Sequence, residues 1–185
     1  MGEPGTNQTL SLEELEAAGN LRTGRKHVVS ILVENKPGVL TRITGLFARR
    51  GFNIDTLAVG PTDDPGVSRV TLTLDGALHP MDQVSKQLHK LVNVLKIRDL
   101  APDETLAREL ALFKISADGI ARAEVMQVVE IFRAKIVDVT KRSIIAEVTG
   151  THEKVEAFER LVRPFGLIEM ARTGEIAIAR GRAET

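Results

Sequence analysis

The residues best placed to do chemistry form one short run, Asn35-Lys36-Pro37-Gly38-Val39-Leu40. A β-branched apolar stretch, Val28 to Val33, ends just before it. Inside it begins the helical spacing of Val39, Leu40, Ile43, Leu46 and Phe47. A strand therefore hands over to a helix at Pro37-Gly38. Proline in the first helical turn loses no hydrogen bond, because that N–H has no partner within the helix. The N–H groups of Gly38, Val39 and Leu40 then point outward with the positive end of the helix dipole, an arrangement that suits a carboxylate. Gly38 has no Cβ, so a ligand can approach the backbone closely. A zwitterionic amino acid also needs acceptors for its ammonium group. Asn35 offers a side-chain carbonyl, and so does Asn53 at the start of the next strand. An apolar ligand side chain would favour Val39, Leu40 and Ile54. The same spacing also describes a plain helix start with Asn35 as its cap, and spacing alone leaves both readings open.

Other chemistry is weakly signalled. His27, His79, His89 and His152 stand without a second histidine or a carboxylate at metal-motif spacing, so they read as surface or partly packed side chains. The chain contains no phosphate-binding glycine loop, no dinucleotide fingerprint and no nucleophile elbow. Asp63-Asp64 and Glu13-Glu14 sit in turn and tail contexts rather than as an acid–base dyad. With no cysteine, thiolate chemistry and disulfides are excluded, as expected of a cytoplasmic protein. Charged residues are 27% of the chain and balance to +0, which gives no electrostatic reason to expect nucleic acid or an anionic membrane. Aromatic residues are only 3%, too few for base-stacking platforms. No apolar run approaches the roughly 18 residues of a membrane span.

The elements that must position the turn follow from periodicity. Residues 26–100 read as strand, helix, strand, strand, helix, strand. Residues 53–59 form the second strand, and Pro61-Thr62-Asp63-Asp64-Pro65-Gly66 is a turn by composition. Val70, Leu72 and Leu74 alternate with polar residues in a half-buried strand. Val84, Leu88, Leu91 and Val92 line a helix, and residues 94–100 alternate again. Gly51 is placed to stop the first helix. Residues 101–108 read as a linker. Residues 109–185 repeat the order: strand Leu110 to Ile115, a helix lined by Val125, Val128, Val129 and Phe132, strands Lys135–Val139 and Ser143–Val148, a helix lined by Val155, Phe158, Leu161 and Val162, and an extended segment over 167–179 broken at Thr173-Gly174. The fold class is α+β, two tandem ferredoxin-like βαββαβ units with helices on one face of an antiparallel sheet. Residues 1–25 form a tail. Within it Ser11-Leu12-Glu13-Glu14 matches a capping box, so a short helix over 11–18 competes with a loosely ordered segment.

The run Ile31 to Leu40 resembles the first motif of ACT domains, the amino-acid-sensing modules of metabolic enzymes. Gly45 to Asp55, Pro61 to Pro65, Ser68-Arg69 and Lys86 to Val92 are similar to the small, regulatory subunits of acetolactate synthase. So are Glu109 to Leu112, Glu130 to Ala134, Asp138 to Thr140 and Ala171 to Gly174 with Arg180-Gly181. On this resemblance residues 26–100 are an ACT domain and 109–185 a C-terminal ACT-like domain. The resemblance implies no catalytic residues and no metal or cofactor in this chain. It implies a catalytic large subunit as partner, carrying thiamine diphosphate, Mg and FAD, whose activity the chain raises. It further implies feedback inhibition by a branched-chain amino acid, L-valine, in valine, leucine and isoleucine biosynthesis. ACT domains of this kind pair side by side as a homodimer, with the effector between protomers. That puts Asn35, Pro37, Gly38, Val39 and Leu40 on one side of the effector, and Asn53 and Ile54 on the other. Pro37 stands where some members have a small polar residue, which stiffens the turn. The Pro61–Gly66 hairpin tip becomes a candidate contact to the catalytic subunit. The alternatives from other classes are a free-standing tandem ACT sensor with another target, and a small ferredoxin-like enzyme or RNA binder. Missing aromatics and missing catalytic clusters argue against the last two.

Overall fold

The computed structural model describes residues 26–75, 81–119 and 121–182. The expected helix over 11–18 lies outside the described residues. The N-terminal half comprises β1 (Lys26–Glu34), α1 (Val39–Arg49), β2 (Ile54–Pro61), β3 (Val67–Asp75), α2 (Met81–Leu88) and β4 (Val94–Leu100). Its four strands form an antiparallel sheet in the order β2-β3-β1-β4. Strand period places Val29, Ile31 and Val33 of β1 and Val70, Leu72 and Leu74 of β3 on one face. There they pack with Val39, Ile43, Leu46 and Phe47 of α1 and with Val84 and Leu88 of α2. Fully burying one such side chain contributes about 1.5–3 kcal/mol.

Helix α1 ends as its sequence directs. Gly51 adopts φ 68°, its N–H donates to the Ala48 carbonyl, and the Phe52 N–H donates to the Phe47 carbonyl. This paired arrangement closes the helix and brings Phe52 edge-on to Phe47, with ring centroids 5.6 Å apart.

The C-terminal half repeats the plan with β5 (Thr105–Ser116), α3 (Ala121–Ile131), β6 (Lys135–Val139), β7 (Ser143–Gly150), α4 (His152–Val162), β8 (Leu167–Arg172) and β9 (Ile176–Ala179). Its order β6-β7-β5-β8 corresponds strand for strand to the first sheet. Phe113, Phe158, Val125, Val129 and Val155 centre its core. The molecule is thus an α+β protein of two tandem βαββαβ units.

Three local expectations are corrected. Residues 101–108 are not simply a connection: Pro102–Glu104 form a 3-10 turn, and β5 already begins at Thr105. Residues 105–108 pair with β9, from Thr105 opposite Ala179 to Arg108 opposite Ile176, a partner some seventy positions away. Helix α2 ends at Leu88, so Leu91 and Val92 fall in the following turn. There Leu91 packs on the core, while Val92 is 92% exposed. Leu161 of α4 is likewise on the outer face at 51% exposure, while Val155, Phe158 and Val162 turn inward.

Candidate functional site

The Asn35–Gly38 segment is more specific than a helix start. The Val39 N–H reaches back to the Lys36 carbonyl at 3.4 Å, and Gly38 has φ 83° and ψ −7°. Those values are those of the third residue of a type II turn, with Pro37 supplying the preset φ of the second. Pro37 therefore precedes the helix instead of lying in its first turn. Gly38 is the N-cap, and no side chain caps the helix. Asn35 is not the cap either. Its N–H donates to the Gly66 carbonyl at 2.8 Å and its Nδ2 to the Pro65 carbonyl at 3.1 Å. That leaves Oδ1 as an acceptor. Asn35 thus ties the turn to the hairpin tip at Pro61–Gly66. Asp64 tightens that tip by accepting from the Gly66 N–H at 2.8 Å.

The first intrahelical bond runs from the Arg42 N–H to the Gly38 carbonyl at 3.1 Å. Among the described residues the N–H groups of Gly38, Leu40 and Thr41 have no backbone acceptor. Thr41 thus replaces Val39 in the expected donor set. The side chain of Val39 is also withdrawn from the site, being 5% exposed in the core, whereas Leu40 is 39% exposed beside the turn. Asn35, Lys36, Pro37 and Gly38 are all exposed. Around the turn the charges are tethered. Lys36 Nζ pairs with Glu34 at 3.1 Å, Asn93 Nδ2 donates to Glu34, and Arg42 Nη1 donates to Asn93 Oδ1 at 2.8 Å. The Asn93 hydrogen bond, aided by Lys36, holds the Glu34 carboxyl below its ordinary value.

Asn53 and Ile54 lie elsewhere. Ile54 pairs with Leu74 at one end of β3, whereas Glu34 pairs with Val67 at the other. Seven residue steps of β3 separate those pairs, roughly 23 Å of strand. One chain therefore does not bring the two groups together. Asn53 is exposed and donates through Nδ2 to Asp55 Oδ1 at 3.3 Å, which leaves Oδ1 as an acceptor. Asn53 and Ile54 line a cavity of about 880 Å³ between the two halves.

Lys26, His152, Glu156 and Arg172 also line that cavity and belong to a cluster that sequence reading passed over. Glu109, its side chain 0% exposed, is paired with Arg172, whose Nε lies 3.3 Å from Glu109 Oε2. His152 Nδ1 lies 3.5 Å from Glu109 Oε1, and its Nε2 lies 2.9 Å from Glu156 Oε1 and 3.2 Å from Lys26 Nζ. Desolvation by burial pushes the nearby Glu175 carboxyl above its ordinary value. One signal was available: Glu109 is in phase with the buried Ala111, Phe113 and Ile115 of its strand. Among the described residues no group of three metal-ligating side chains is assembled. No helix there is long and apolar enough to cross a membrane.

A βαββαβ sheet with helices on one face, leading through an exposed glycine turn with open N–H groups, defines an ACT-type module in the N-terminal half, and the C-terminal half repeats its sheet order. Residues 29–96 match the model of the ACT domain of acetohydroxyacid synthase small subunits, and residues 108–181 match that of the small subunit of acetolactate synthase. The acetolactate synthase small subunit of Mycolicibacterium smegmatis is 47% identical over 84% of this chain and 91% of its own length. A probable acetolactate synthase small subunit of Methanothermobacter thermautotrophicus is 48% identical over 84% and 93%. The crystal structure of the acetolactate synthase small subunit of Thermotoga maritima superposes with a TM-score of 0.79 at 43% identity, covering 86% of this chain and 99% of that one. The chain belongs to the acetolactate synthase small-subunit family.

Proposed function

We propose that the chain is the regulatory partner of an acetolactate synthase catalytic subunit and makes it sensitive to valine bound between two copies of the N-terminal half. The observation that carries this reading is the turn itself: a left-handed Gly38 opening a helix, with the N–H groups of Gly38, Leu40 and Thr41 lacking backbone acceptors among the described residues. A carboxylate there meets backbone donors and the helix dipole. The Asn35 carbonyl stands ready for the ammonium group, and the exposed part of Leu40 for a small branched side chain.

The ammonium's second acceptor is Asn53 of another copy. Within the N-terminal sheet β2 is an edge strand, paired only with β3. Two copies joined β2 to β2 antiparallel about a two-fold axis place the start of each β2 beside the end of the other. The end of β2 is the end at which Asn35 and the hairpin tip sit, since Pro61 pairs with Ser68 and Glu34 with Val67. Each Asn53 is thereby carried toward the other copy's turn, and the 23 Å gap within one chain is bridged by symmetry.

Valine at such a site favours whichever dimer arrangement it binds better, by its difference in affinity for the two. Asn35 links the site to the Pro61–Gly66 tip through two hydrogen bonds. A change at the turn is thus felt at a surface suited to meet the catalytic subunit. The thiamine diphosphate, Mg and FAD of the reaction belong to that subunit, the setting is branched-chain amino acid biosynthesis, and the compartment is the cytoplasm. The test adds the purified chain to an acetolactate synthase catalytic subunit and follows acetolactate with and without valine. A raised rate that valine lowers is the expected result. An unchanged rate would overturn the proposal, and valine binding without any effect on the catalytic subunit would point to a free-standing sensor of another target.

A further inference from the structure

The geometry points to the Thr173–Gly174 turn as the contact through which the effector site acts on the C-terminal half. This rests on the effector reading above and adds a route for its regulation. The cavity of about 880 Å³ has Asn53, Ile54 and Thr56 on one wall and His152, Arg172 and Thr173 on the other. Asn53, the residue given to the effector of a second copy, thus also borders a cleft between the halves of its own chain.

Contact across that cleft is close at one point. Gly174 has φ +76°, and a Cβ built there would lie 3.1 Å from Thr56 Cβ and 3.6 Å from the Leu57 nitrogen. A side chain there would press on Thr56 and would also have to adopt a positive φ, which glycine does without strain. Each side of the contact is anchored differently. On the C-terminal side the turn is fixed: the Thr173 N–H donates to the Leu110 carbonyl at 3.0 Å, and the Leu110 N–H donates to Thr173 Oγ1 at 3.1 Å. One residue earlier, Arg172 is locked to the buried Glu109. On the N-terminal side, Thr56 is three positions from Asn53, and the β2–β3 register shifts between Ile54 and Thr56. A bulge is where a strand can bend without breaking its ladder. Movement at Asn53 on binding bends the strand at this bulge, and the bend displaces Thr56. Thr56 meets a turn with no slack, and the C-terminal half moves with it.

The experiment uses the full chain in complex with its catalytic subunit and L-valine as the probe. Gly174→Ala inserts a methyl group into the contact, while Thr173→Val removes the hydroxyl that holds the turn and adds no bulk. For each, valine binding is measured by calorimetry and valine inhibition by acetolactate formation. The expected result is a ratio of half-inhibiting concentration to Kd raised at least about fivefold, the lower edge of typical allosteric couplings. If Gly174→Ala does not fold, Thr173→Val carries the same expectation. A parental ratio in the folded variants overturns the inference. Asn53→Ala serves as the separate arm. If it binds valine as the parent does, the effector reading falls and takes this inference with it. If it loses binding while the turn variants keep the parental ratio, only the coupling is wrong.

Discussion

Gly38 allows the sharpest separation of backbone from charge. Its φ of +83° is one that side-chain-bearing residues adopt at a cost of about 1–2 kcal/mol. A Cβ there meets nothing within 4 Å, so the cost is backbone strain alone. Gly38→Ala should therefore lower Tm by roughly 2–8 °C, taking about 2–4 °C per kcal/mol for a chain of this size. Gly38→Asp carries the same strain and adds one negative charge where the effector's carboxylate is expected. Two like charges about 4 Å apart repel by about 1 kcal/mol in water and about 4 kcal/mol near a protein surface. The Asp variant should thus bind valine roughly fivefold to several hundredfold more weakly than the Ala variant. Calorimetric titration of both variants, with melting curves as the control, reads the difference. Equal affinities would mean that no carboxylate rests on this turn.

Three other outcomes follow from the same geometry. Arg172→Ala takes the guanidinium away from the Glu109 carboxylate, whose side chain is 0% exposed, and leaves it His152 at 3.5 Å. The cost should be about 3–5 kcal/mol, read as a fall in Tm of roughly 6–20 °C. Thr151→Ala removes the side chain that accepts from the Lys154 N–H at the start of α4 and should cost about 1 kcal/mol in denaturant unfolding. Glu175→Gln tests the raised carboxyl. Burial lifts its folded pKa above the ordinary 4.5, so the folded state holds its proton more tightly than the unfolded chain. The stability this group lends is present below 4.5 and lost as pH rises through the folded value. Gln in its place should stabilise the protein at pH 7, with the gain shrinking toward pH 4.5; a gain that grows on acidification would contradict the assignment.

What could be read in the sequence was what short-range pattern controls. The alternation in β3, the helical face of α1 and the Gly51 stop are all local, and their elements fall where periodicity puts them. The turn at Pro37-Gly38 was visible for the same reason. Its inner geometry was not. Whether Pro37 opens the helix or precedes it depends on the φ of Gly38, which glycine leaves free. Asn35 turns away from α1 because Pro65 and Gly66, thirty residues on, offer it better acceptors. Val39 is lost to the site twice over, its side chain to the core and its N–H to the Lys36 carbonyl. The 105–108 extension of β5 is specified only by β9, and the Glu109–Arg172–His152–Lys26 cluster unites four distant positions. No window of sequence contains either.

A site shared between two copies has one direct signature. Asn35→Ala and Asn53→Ala each damage both sites of their own dimer. A mixed dimer places both defects in one site and leaves the other intact. Equal amounts of the two variants, unfolded and refolded together, should recover about a quarter of the parental valine-binding sites, because half of randomly formed dimers are mixed and each has one good site. Recovery near that fraction by calorimetry is what a two-copy site requires. Two variants that bind no valine alone and none after mixing would contradict it.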